Sequence, residues 1–384
     1  MIVHTIHVPV SANRFVAPVV AKLRQAGMPA ELWVAADALQ SAHLTETRSQ
    51  CPVRDIACDL SMNPLVIARR LWVLVRAMSQ PRPNAVHAHQ MRAAVLPLLA
   101  AWLLRVPVRI YHNHGLPYLG YNGALRGRLR LLERINIALS THMLLVSHSN
   151  RDAARNDGLL RKRQGRVLGR GSAVGINLKH WPSPDRSRHV GLEFRRERAI
   201  AAGAFVVLFV GRANARKGFI ELIAAWEKGC FASRGCVLLC AGFGPEAATS
   251  LDRPLPTGVV PLGMLQDLRP VYAACDVLCL PSWHEGLSYA VLEAYAASRP
   301  VIVTDIPGLR SEVLPGLTGL SVPVRDIVAL TTAIRHMETD PIARQSMGRK
   351  GWLFVRKCFD QRQVLDKYAA WYRHILHFSS SPKN

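Results

Sequence analysis

The chain has 384 residues, of which 49% are hydrophobic and 20% charged, a balance that excludes a disordered protein and indicates about two globular domains. Its formal charge of +23 is unevenly spread: residues 1–183 hold 24 Lys and Arg against 8 Asp and Glu, and residues 184–384 hold 25 against 18. The first half, at net +16, is therefore expected to meet an anionic partner, and nucleic acid and an anionic membrane surface are both candidates.

The cysteines and the apolar stretches indicate where the protein works. The eight cysteines are scattered without a pair at zinc-binding spacing, which favours buried, reduced thiols in a cytosolic protein over disulfides or a metal site. Met1–Val10 lacks the basic and long apolar regions of a secretory signal. Ala93–Leu104, the longest apolar stretch, is shorter than the roughly 20 residues that a spanning helix needs. We therefore expect a cytoplasmic protein that does not cross the membrane.

The first half alternates short apolar runs with helical patterns, which predicts a parallel β-sheet with helices on both faces. The predicted strands are Ile2–Val8, Glu31–Ala36, Ala85–His89, Val108–His112 and Met143–Val146. The predicted helices are Phe15–Ala26, Met91–Leu104, Leu125–Leu139 and Ser149–Asn156. Ligands of such sheets bind beyond the carboxyl ends of the strands, so the residues that directly follow each strand are candidates for a site.

Two segments of the first half combine apolar residues at helical spacing with several arginines. They are Leu65–Met78 with Arg69, Arg70 and Arg76, and Ala124–Arg134 with Arg126, Arg128, Arg130 and Arg134. This pattern is typical of a basic amphipathic helix that lies on a bilayer, although a solvated basic face over an ordinary core stripe fits either segment equally well. Aromatic residues interleaved with the basic ones, as single-strand binders use, are missing, so we expect no nucleic-acid partner.

The second half repeats the alternation and predicts a second doubly wound domain. Its predicted strands are Phe205–Gly211, Val237–Ala241, Val259–Leu262, Asp276–Leu280 and Pro300–Thr304, and its predicted helices are Phe219–Trp226, Tyr289–Ala297 and Ile327–Met337. Trp181–Arg188, rich in proline and charge, is interpreted as the linker. The predicted domains are therefore 1–183 and 184–360, with a C-terminal helix 361–378 packed back on the first domain. Two facing sheets of this kind predict one ligand cleft between the domains.

Two cations follow the first strand of the second domain. In Gly211-Arg-Ala-Asn-Ala-Arg-Lys-Gly218, the side chains of Arg212 and Lys217 are expected at the mouth of the cleft and at a helix N-terminus. Two positive charges there, together with the helix dipole, suit a pyrophosphate whose negative charge grows as it departs. The common alternative is that both residues are ordinary surface charges on a loop. This alternative is less favoured here, because the pair lies between a strand with its glycine and the start of a helix.

Two later turns carry weaker signals. Ala241-Gly-Phe-Gly-Pro245 places Gly242 and Gly244 where the main chain can approach a ligand closely, although many such turns are purely structural. Leu262-Gly-Met264 follows the next predicted strand. The main-chain groups of Gly263 and Met264 are therefore candidate contacts for a flat nucleobase.

The sharpest signal is the segment Pro281–Ala294, in which Glu285 ends the loop after a strand and Glu293 lies on the following helix. A carboxylate that accepts two hydrogen bonds can clamp vicinal hydroxyls, so one acid suits a sugar and the other a ribose. Between them, Gly286, Leu287 and Ser288 are expected to present unpaired amides to a phosphate. The alternative, a helix-terminus carboxylate and a surface helix residue, carries less weight in this context.

These motifs together resemble glycosyltransferase family 4, whose members have the GT-B fold, use no metal and retain the anomeric configuration. The resemblance rests on Gly211-Arg212, Lys217-Gly218, Gly242-Phe-Gly244, the spacing of Glu285 and Glu293, and Thr304–Gly308 through Glu312. It implies that Arg212 and Lys217 hold the donor pyrophosphate. Glu285 would then bind a hydroxyl of the donor sugar, and Glu293 the ribose. The absence of an Asp-x-Asp motif agrees with cationic side chains in place of a divalent metal.

The first domain looks like the branch of this family that builds lipid-linked oligosaccharides, O-antigen or capsule. The motifs that carry this likeness are Val86-His-Ala-His89, Tyr111-His-Asn-His-Gly115, the basic helix with Glu133, and Gly169–Asn177. The resemblance places His114 near the donor sugar, and its position directly after a strand favours a functional role over a packed loop histidine. His87 and His89 lie at the end of the third strand. For these two residues, a role on the acceptor side is no better supported than packing in the core.

The sequence departs from the family pattern at two places. Ser298-Arg-Pro300 stands where the family has Gly-x-Pro, which affects the turn rather than the chemistry. Val10-Ser-Ala-Asn13 replaces a glycine-rich loop, so contacts of Ser11 and Asn13 with a donor or acceptor phosphate stay open. The task of His284, directly before Glu285, is open as well.

The resemblance as a whole implies a retaining glycosyltransferase that moves a hexose or N-acetylhexosamine from a nucleotide-sugar, foremost a UDP-sugar, to a polyprenyl-diphosphate-linked saccharide. It implies no cofactor and no metal. The expected partners are the donor, the lipid-linked acceptor and an anionic membrane, at the inner face of the cell membrane. Three rival functions stay open: a nucleotide-sugar epimerase or hydrolase of the same fold, a non-catalytic nucleotide-sugar-binding subunit, and a nucleic-acid-modifying enzyme, which would leave the two glutamates unexplained.

Overall fold

The computed structural model describes residues 1–8, 11–35, 42–244, 251 and 253–380. Within them the chain forms two compact units, one of residues 1–175 with the C-terminal helix and one of residues 176–360. Each unit contains a six-stranded sheet in which every paired strand is parallel to its neighbour. The predicted tandem of two doubly wound α/β domains is therefore confirmed. The second unit begins at Ile176, ahead of the predicted boundary at residue 184.

The sheet of the first unit has the strand order β3-β2-β1-β4-β5-β6. Strands β1 to β6 are Ile2–Thr5, Ala30–Val34, Val53–Asp55, Ala85–His89, Val108–Asn113 and His142–Leu145. Helices α1 to α6 are Ala17–Gln25, Ala42–Gln50, Pro64–Ser79, Met91–Leu103, Gly123–Leu139 and His148–Asn156. The chain direction across the sheet reverses between β1 and β4, and ligands of open α/β sheets bind beyond the carboxyl ends of the strands at such a reversal.

The sheet of the second unit repeats this topology in the order β12-β11-β10-β7-β8-β9. Strands β7 to β12 are Val206–Val210, Val237–Ala241, Val259–Pro261, Val277–Leu280, Val301–Thr304 and Gly319–Val322. Helices α7 to α12 are Pro184–Glu197, Phe219–Lys228, Arg269–Ala274, Tyr289–Ala296, Ile327–Thr339 and Pro341–Cys358. The reversal here lies between β7 and β10. In β10 and in residues 206–209 of β7, consecutive residues are apolar and fully buried, with no alternation between buried and exposed positions, as expected for strands covered on both faces.

The segment Trp181–Arg188 is not a linker, contrary to the sequence interpretation. Pro184 opens α7, and the Ser183 side chain accepts a hydrogen bond from the Arg186 amide at the start of this helix. A serine cap followed by proline at the first helical position is a helix start, and it mimics a linker in composition. Arg195 near the end of α7 then donates to Asp276 at 2.8 Å, which ties the helix to the second unit.

The last helix, α13 (Gln361–Ser380), lies on the first unit. Tyr368 and Tyr372 on its inner face are fully buried, and Asp366 pairs with Lys22 of α1 at 2.5 Å. The chain thus returns to its first unit after completing the second. All eight cysteines are free thiols, six of them buried. In the described parts of the chain, no helix combines the length and hydropathy needed to cross a membrane.

Candidate functional site

The loops that follow β7 and β10 carry the main predicted site residues. Residues 211–218 follow β7, and residues 281–288 follow β10. Because β7 and β10 are parallel, hydrogen-bonded neighbours at the reversal of the sheet, both loops leave the same edge. The topology therefore brings together the two segments that the sequence singles out, at the position where open α/β sheets bind ligands.

Lys217 and Glu285 form a salt bridge between these two loops. The Lys217 Nζ atom lies 2.6 Å from the Glu285 Oε1 atom, and the two side chains are 28% and 11% exposed. Lys217 ends a short 3-10 turn, Ala215–Lys217, where the Asn214 side chain accepts the Lys217 amide at 3.1 Å. A half-buried pair of this kind combines a cation that attracts phosphate with a carboxylate that accepts hydrogen bonds from hydroxyls.

Two glycines allow the loops to approach this closely. Gly218 has a left-handed φ of +68°, and a Cβ atom there would overlap the carbonyl oxygen of Pro281. Gly308 has a φ of +99°, and a Cβ atom there would overlap the carbonyl oxygen of Glu285. A side chain at either position would push the adjoining segment away, so both glycines are required for the Lys217–Glu285 geometry.

Glu293 is a buried residue of α10, with 8% of its surface exposed. Its Oε2 atom accepts a hydrogen bond from the Tyr272 hydroxyl at 2.9 Å. The alternative that made Glu293 a surface helix residue is therefore wrong. A buried carboxylate must be hydrogen-bonded, and the Tyr272 contact fixes its orientation. Its contact with a ribose stays a prediction.

The amide of Ser288 is already paired, contrary to the expectation that it would face a phosphate. It donates to the Oε1 atom of Glu312 at 2.7 Å. Glu312 is fully buried, and this burial, reinforced by the nearby Glu285 carboxylate, raises its pKa well above the ordinary value. The Ser288 amide is therefore not a candidate for phosphate. Glu312 thus supports the loop that carries Glu285.

The turns after β8 and β9 lie beside this loop pair. The Gly242 amide donates to the Gly263 carbonyl and the Gly263 amide to the Phe243 carbonyl, each at 2.9 Å. The main chain of Gly263 is therefore engaged within the protein, whereas the Met264 side chain is 83% exposed and is the better candidate for a nucleobase contact. Gly244 is described, and Pro245 lies outside the described residues.

The loop after β7 begins with Gly211, whose amide donates to the Ala241 carbonyl at 2.9 Å. The next residue, Arg212, is exposed, and its guanidinium makes no hydrogen bond or ion pair with any described residue. Lys217 and Arg212 thus differ: the first is held by Glu285, and the second is available to an incoming anion.

Five histidines cluster in the first unit. His4 lies on β1, His87 and His89 on β4, and His112 on β5, and all four are buried; His114, just after β5, is partly exposed. Burial lowers the pKa of His4 to about 3 and that of His114 to about 4, and it places those of the other three well below the ordinary value. His87 and His89 lie inside the strand and are fully buried, which favours core packing over a direct contact with the acceptor; an acceptor-side role for them stays untested.

The loop that carries His114 is held by a buried glutamate of the basic helix α5. Glu133 accepts a hydrogen bond from the Tyr111 hydroxyl at 2.7 Å and from the Asn113 side-chain amide at 3.0 Å. The Asn113 Oδ1 atom in turn accepts the Gly115 amide at 3.0 Å. Burial raises the pKa of Glu133 to about 8, against the opposing effect of these hydrogen bonds. The position of His114 therefore depends on a polar network that reaches across α5.

The N-terminal loop gives Asn13 a partner within the protein. Its side chain donates to Glu46 at 2.7 Å and accepts from Gln50 at 3.3 Å, both on α2. A phosphate contact by Asn13 would have to break this arrangement. Val10 of the same loop lies outside the described residues, and nothing in the geometry assigns a task to Ser11 or His284.

Comparisons with known proteins agree with the predicted family and fold. Residues 12–171 match the model of a glycosyl transferase 4-like domain, and residues 204–340 match that of glycosyl transferases group 1. A capsular polysaccharide biosynthesis glycosyltransferase of Staphylococcus aureus, CapM, is 25% identical over 315 residues, 80% of this chain and 81% of that one. An N,N'-diacetylbacillosaminyl-diphospho-undecaprenol alpha-1,3-N-acetylgalactosaminyltransferase of Campylobacter jejuni is 21% identical over 323 residues, 82% and 84% of the two chains. The solved structure of HepE from Anabaena in complex with UDP-glucose has a TM-score of 0.77 at 19% identity and covers 97% of this chain and 99% of that one.

Proposed function

Because the chain belongs to the group 1 glycosyltransferases and has their GT-B fold, we propose that it is a retaining, metal-independent hexosyltransferase that uses a nucleotide-sugar, foremost a UDP-sugar. The acceptor in this proposal is a polyprenyl-diphosphate-linked saccharide in the synthesis of a bacterial surface polysaccharide. The similar C. jejuni protein, whose name specifies a diphospho-undecaprenol acceptor, and the capsule protein of S. aureus support this choice.

The Lys217–Glu285 pair at the chain reversal of the second sheet is the observation that carries the proposal. As the donor bond breaks, negative charge accumulates on the leaving diphosphate, and a preorganised cation at that point lowers the barrier. Lys217 and the exposed Arg212 supply the positive charge, and Glu285 accepts hydroxyl hydrogens of the donor sugar. No cofactor takes part, and the two cations do the work that a divalent metal does in other sites.

Glu293 is the residue that this proposal assigns to the ribose of the donor. We expect wild-type protein to bind UDP more tightly than 2′,3′-dideoxy-UDP, because a buried carboxylate without its hydroxyl partner is left unsatisfied. In Glu293→Gln the affinity for UDP should fall by about tenfold and the preference for the hydroxylated nucleotide should shrink. Isothermal titration with both nucleotides measures this ratio.

The control for that titration is Tyr272→Phe, which removes the hydroxyl that orients Glu293 but keeps the carboxylate. This variant should weaken UDP binding less than Glu293→Gln does, and it should keep most of the preference for UDP over 2′,3′-dideoxy-UDP. A Glu293→Gln protein that discriminates the two nucleotides as well as wild type would show that Glu293 is only a packing residue.

The two basic helices support a peripheral position on an anionic membrane, with a smaller set of arginines than the sequence indicates. On α3, Leu65 and Trp72 are 79% and 59% exposed, and the Arg76 guanidinium lies over the Trp72 ring. On α5, Leu125 and Leu131 are also exposed. Three of the predicted arginines are paired inside the protein: Arg70 with Asp59, and Arg126 and Arg130 with Asp157. The exposed arginines of the two faces are Arg69, Arg76, Arg128 and Arg134.

Replacing these four exposed arginines by glutamine should therefore weaken binding to phosphatidylglycerol vesicles by a hundredfold or more, since each basic residue near an anionic leaflet contributes on the order of 1 kcal/mol. Co-sedimentation at several salt concentrations measures the effect. The charge-matched control replaces four exposed arginines of the second unit, Arg186, Arg188, Arg196 and Arg349. Equal loss of binding in both variants would mean that net charge alone, rather than these two helices, attracts the membrane.

A further inference from the structure

A continuous chain of hydrogen bonds connects the last helix to His114. The Tyr372 hydroxyl on α13 lies 3.2 Å from His4 Nε2, His4 Nδ1 lies 3.1 Å from His89 Nε2, and His89 Nδ1 lies 3.0 Å from His114 Nε2. At its other end the Tyr372 oxygen lies 2.6 Å from His87 Nδ1. We call these five residues, His87, Tyr372, His4, His89 and His114, the histidine relay.

The number of protons in the relay restricts the directions that its hydrogen bonds can take. All four imidazoles are neutral, because burial lowers the pKa of each. A neutral imidazole has one N–H group and one acceptor nitrogen, so each contact between two rings holds a single proton. When the Tyr372 hydroxyl donates to one of its two histidine neighbours, the direction of one hydrogen bond fixes the direction of all the others, and the four imidazoles are all protonated on Nδ1 or all on Nε2. The remaining arrangement, in which the Tyr372 oxygen accepts from both His87 and His4, would leave the buried hydroxyl hydrogen without an acceptor among the described residues and is therefore disfavoured.

The closed end of the relay decides between the two directions. His87 is fully buried, and its Nε2 atom has no hydrogen-bond partner within the described part of the chain. If every ring were protonated on Nε2, His87 would bury an N–H group with nothing to accept its hydrogen bond. If every ring is protonated on Nδ1, the same atom is a bare acceptor. Orphaned buried N–H groups are rarer in proteins than acceptors that lack a partner.

We propose that the histidine relay fixes the tautomer of His114, with Tyr372, His4 and His89 acting as positioning residues. His87 Nδ1–H donates to the Tyr372 oxygen, the Tyr372 hydroxyl donates to His4, His4 Nδ1–H to His89, and His89 Nδ1–H to His114 Nε2. His114 is the partly exposed end of the relay and presents Nδ1–H, which has no partner among the described residues. It therefore offers a hydrogen-bond donor, not an acceptor, to its ligand.

The class of ligand follows from this donor and rests on the proposed function. A neutral N–H donor suits the oxygen of a sugar hydroxyl or of a leaving phosphate, and it stays neutral throughout the physiological pH range. His114 is therefore assigned to hydrogen-bond donation, and it does not remove a proton from the acceptor hydroxyl.

A shared metal ion is the competing explanation for the short distances between ring nitrogens. Two groups, His4–His87–His89 and His89–His112–His114, bring their ligand atoms within 4.8 Å of one another. Nitrogens on one tetrahedral metal lie about 3.3 Å apart, which is close to the 3.0 and 3.1 Å of the relay. The relay contacts account for these distances with shared protons alone, and the test below includes a chelation arm.

The tautomers are measured on the full chain by NMR with 15N-labelled histidine, in which protonated and bare ring nitrogens resonate far apart. His114→Asn identifies the His114 signals by their loss. We expect His114 to be protonated on Nδ1 in the wild type, and Tyr372→Phe to release it toward the Nε2–H form, because the phenyl ring cannot donate to His4. The matched control Tyr368→Phe removes a hydroxyl 3.5 Å from His112, outside the relay, and should leave His114 unchanged.

Two results would overturn the proposal: a wild-type His114 protonated on Nε2, or a tautomer that is the same in Tyr372→Phe as in wild type. A spectrum that changes on treatment with EDTA would assign the nitrogens to a metal instead. If Tyr372→Phe does not fold, His4→Gln, which interrupts the relay at its next member, replaces it in the same comparison.

An activity measurement separates the relay from the proposed function. With a working sugar transfer, Tyr372→Phe should lower kcat about fivefold and leave the KM for the donor nearly unchanged, as the loss of one positioning hydrogen bond implies. If the NMR result holds and no nucleotide-sugar is turned over, the proposed function fails and the relay stands. If transfer occurs and His114 carries its proton on Nε2, the relay fails and the function stands.

Discussion

We expect that replacing Lys217 by glutamine will lower sugar transfer about a hundredfold or more, and that Glu285→Gln will do the same. The reason is that each removes a charge-assisted contact at a point where charge develops in the transition state. Both variants should remain folded, because they exchange one polar side chain for another of similar size in a partly exposed pair. Initial rates with a saturating nucleotide-sugar, together with melting temperatures of both proteins, check this.

The double variant distinguishes a donor-binding role from a purely structural salt bridge. Two glutamines can still hydrogen-bond to each other, so a structural role would be restored in Lys217→Gln combined with Glu285→Gln, whereas a role in binding and charge stabilisation would not. Lys228→Gln is the matched control, because it changes an exposed lysine at the end of α8, the helix that follows Lys217. Restored turnover in the double variant would refute the assignment of both residues.

Lowering the pH from 7 to 5 should destabilise the first unit by several kcal/mol. Four of its histidines are fully buried with pKa values well below the ordinary 6.5. Between these values and 6.5 the unfolded chain binds protons that the folded chain does not, so stability present above pH 6.5 is lost as the pH falls. For His4, whose pKa is about 3, this loss amounts to about 2 kcal/mol by pH 5, and the lowered pKa values of the other three imidazoles add further loss in the same direction, against a typical domain stability of about 5–15 kcal/mol.

Glu133 opposes this loss, because its pKa is raised to about 8 and the folded chain keeps a proton that the unfolded chain releases above pH 4.5. Between pH 7 and pH 5, protonation of this residue therefore raises the free energy of unfolding by about 2–3 kcal/mol. This gain is smaller than the loss caused by the buried histidines. Hydrogen exchange measured at both pH values and corrected for intrinsic rates should show faster opening of β1, β4 and β5 at pH 5. The strands of the second unit, whose histidines are all at least partly exposed, serve as the internal control.

A matched pair of variants tests whether the buried histidines cause the loss of stability at low pH. His4→Gln should flatten the pH dependence of the first unit, and His336→Gln, at an exposed position on α11, should not. Equal opening of the two units on acidification would contradict the explanation by buried histidines.

The strands of both sheets could be predicted from the sequence because buried parallel strands read as continuous apolar runs. Ala85–His89 and Val237–Ala241 have the predicted bounds. The two edge strands, Val53–Asp55 and Gly319–Val322, were not predicted because they are short. The first consists mostly of charged residues, and the second begins with glycine. Helix α7 was hidden because its Ser-Pro start has the composition of a linker.

The site was predictable where its residues follow strands, and not where distant segments supply the partners. Glu285 and Lys217 lie in loops that any parallel sheet places at one edge. Glu312 reaches the Ser288 amide from 24 residues downstream, and Tyr372 reaches His87 from 285 residues away. His4 becomes a neighbour of His87 only because β1 pairs with β4 in the sheet. This pairing depends on the order of the strands in the sheet, which the local sequence pattern does not reveal.

The most direct test of the account is a transfer assay with purified protein, a panel of UDP-, GDP- and ADP-sugars and a polyprenyl-diphosphate-linked saccharide, carried out in EDTA. One nucleotide-sugar, foremost a UDP-sugar, should serve as donor, and the protein should glycosylate the lipid-linked acceptor at full rate in the chelator. NMR of the product should show the anomeric configuration of the donor, and Lys217→Gln should give almost no product. Absence of transfer from every donor, a requirement for added magnesium or manganese, or a product of inverted configuration would contradict it.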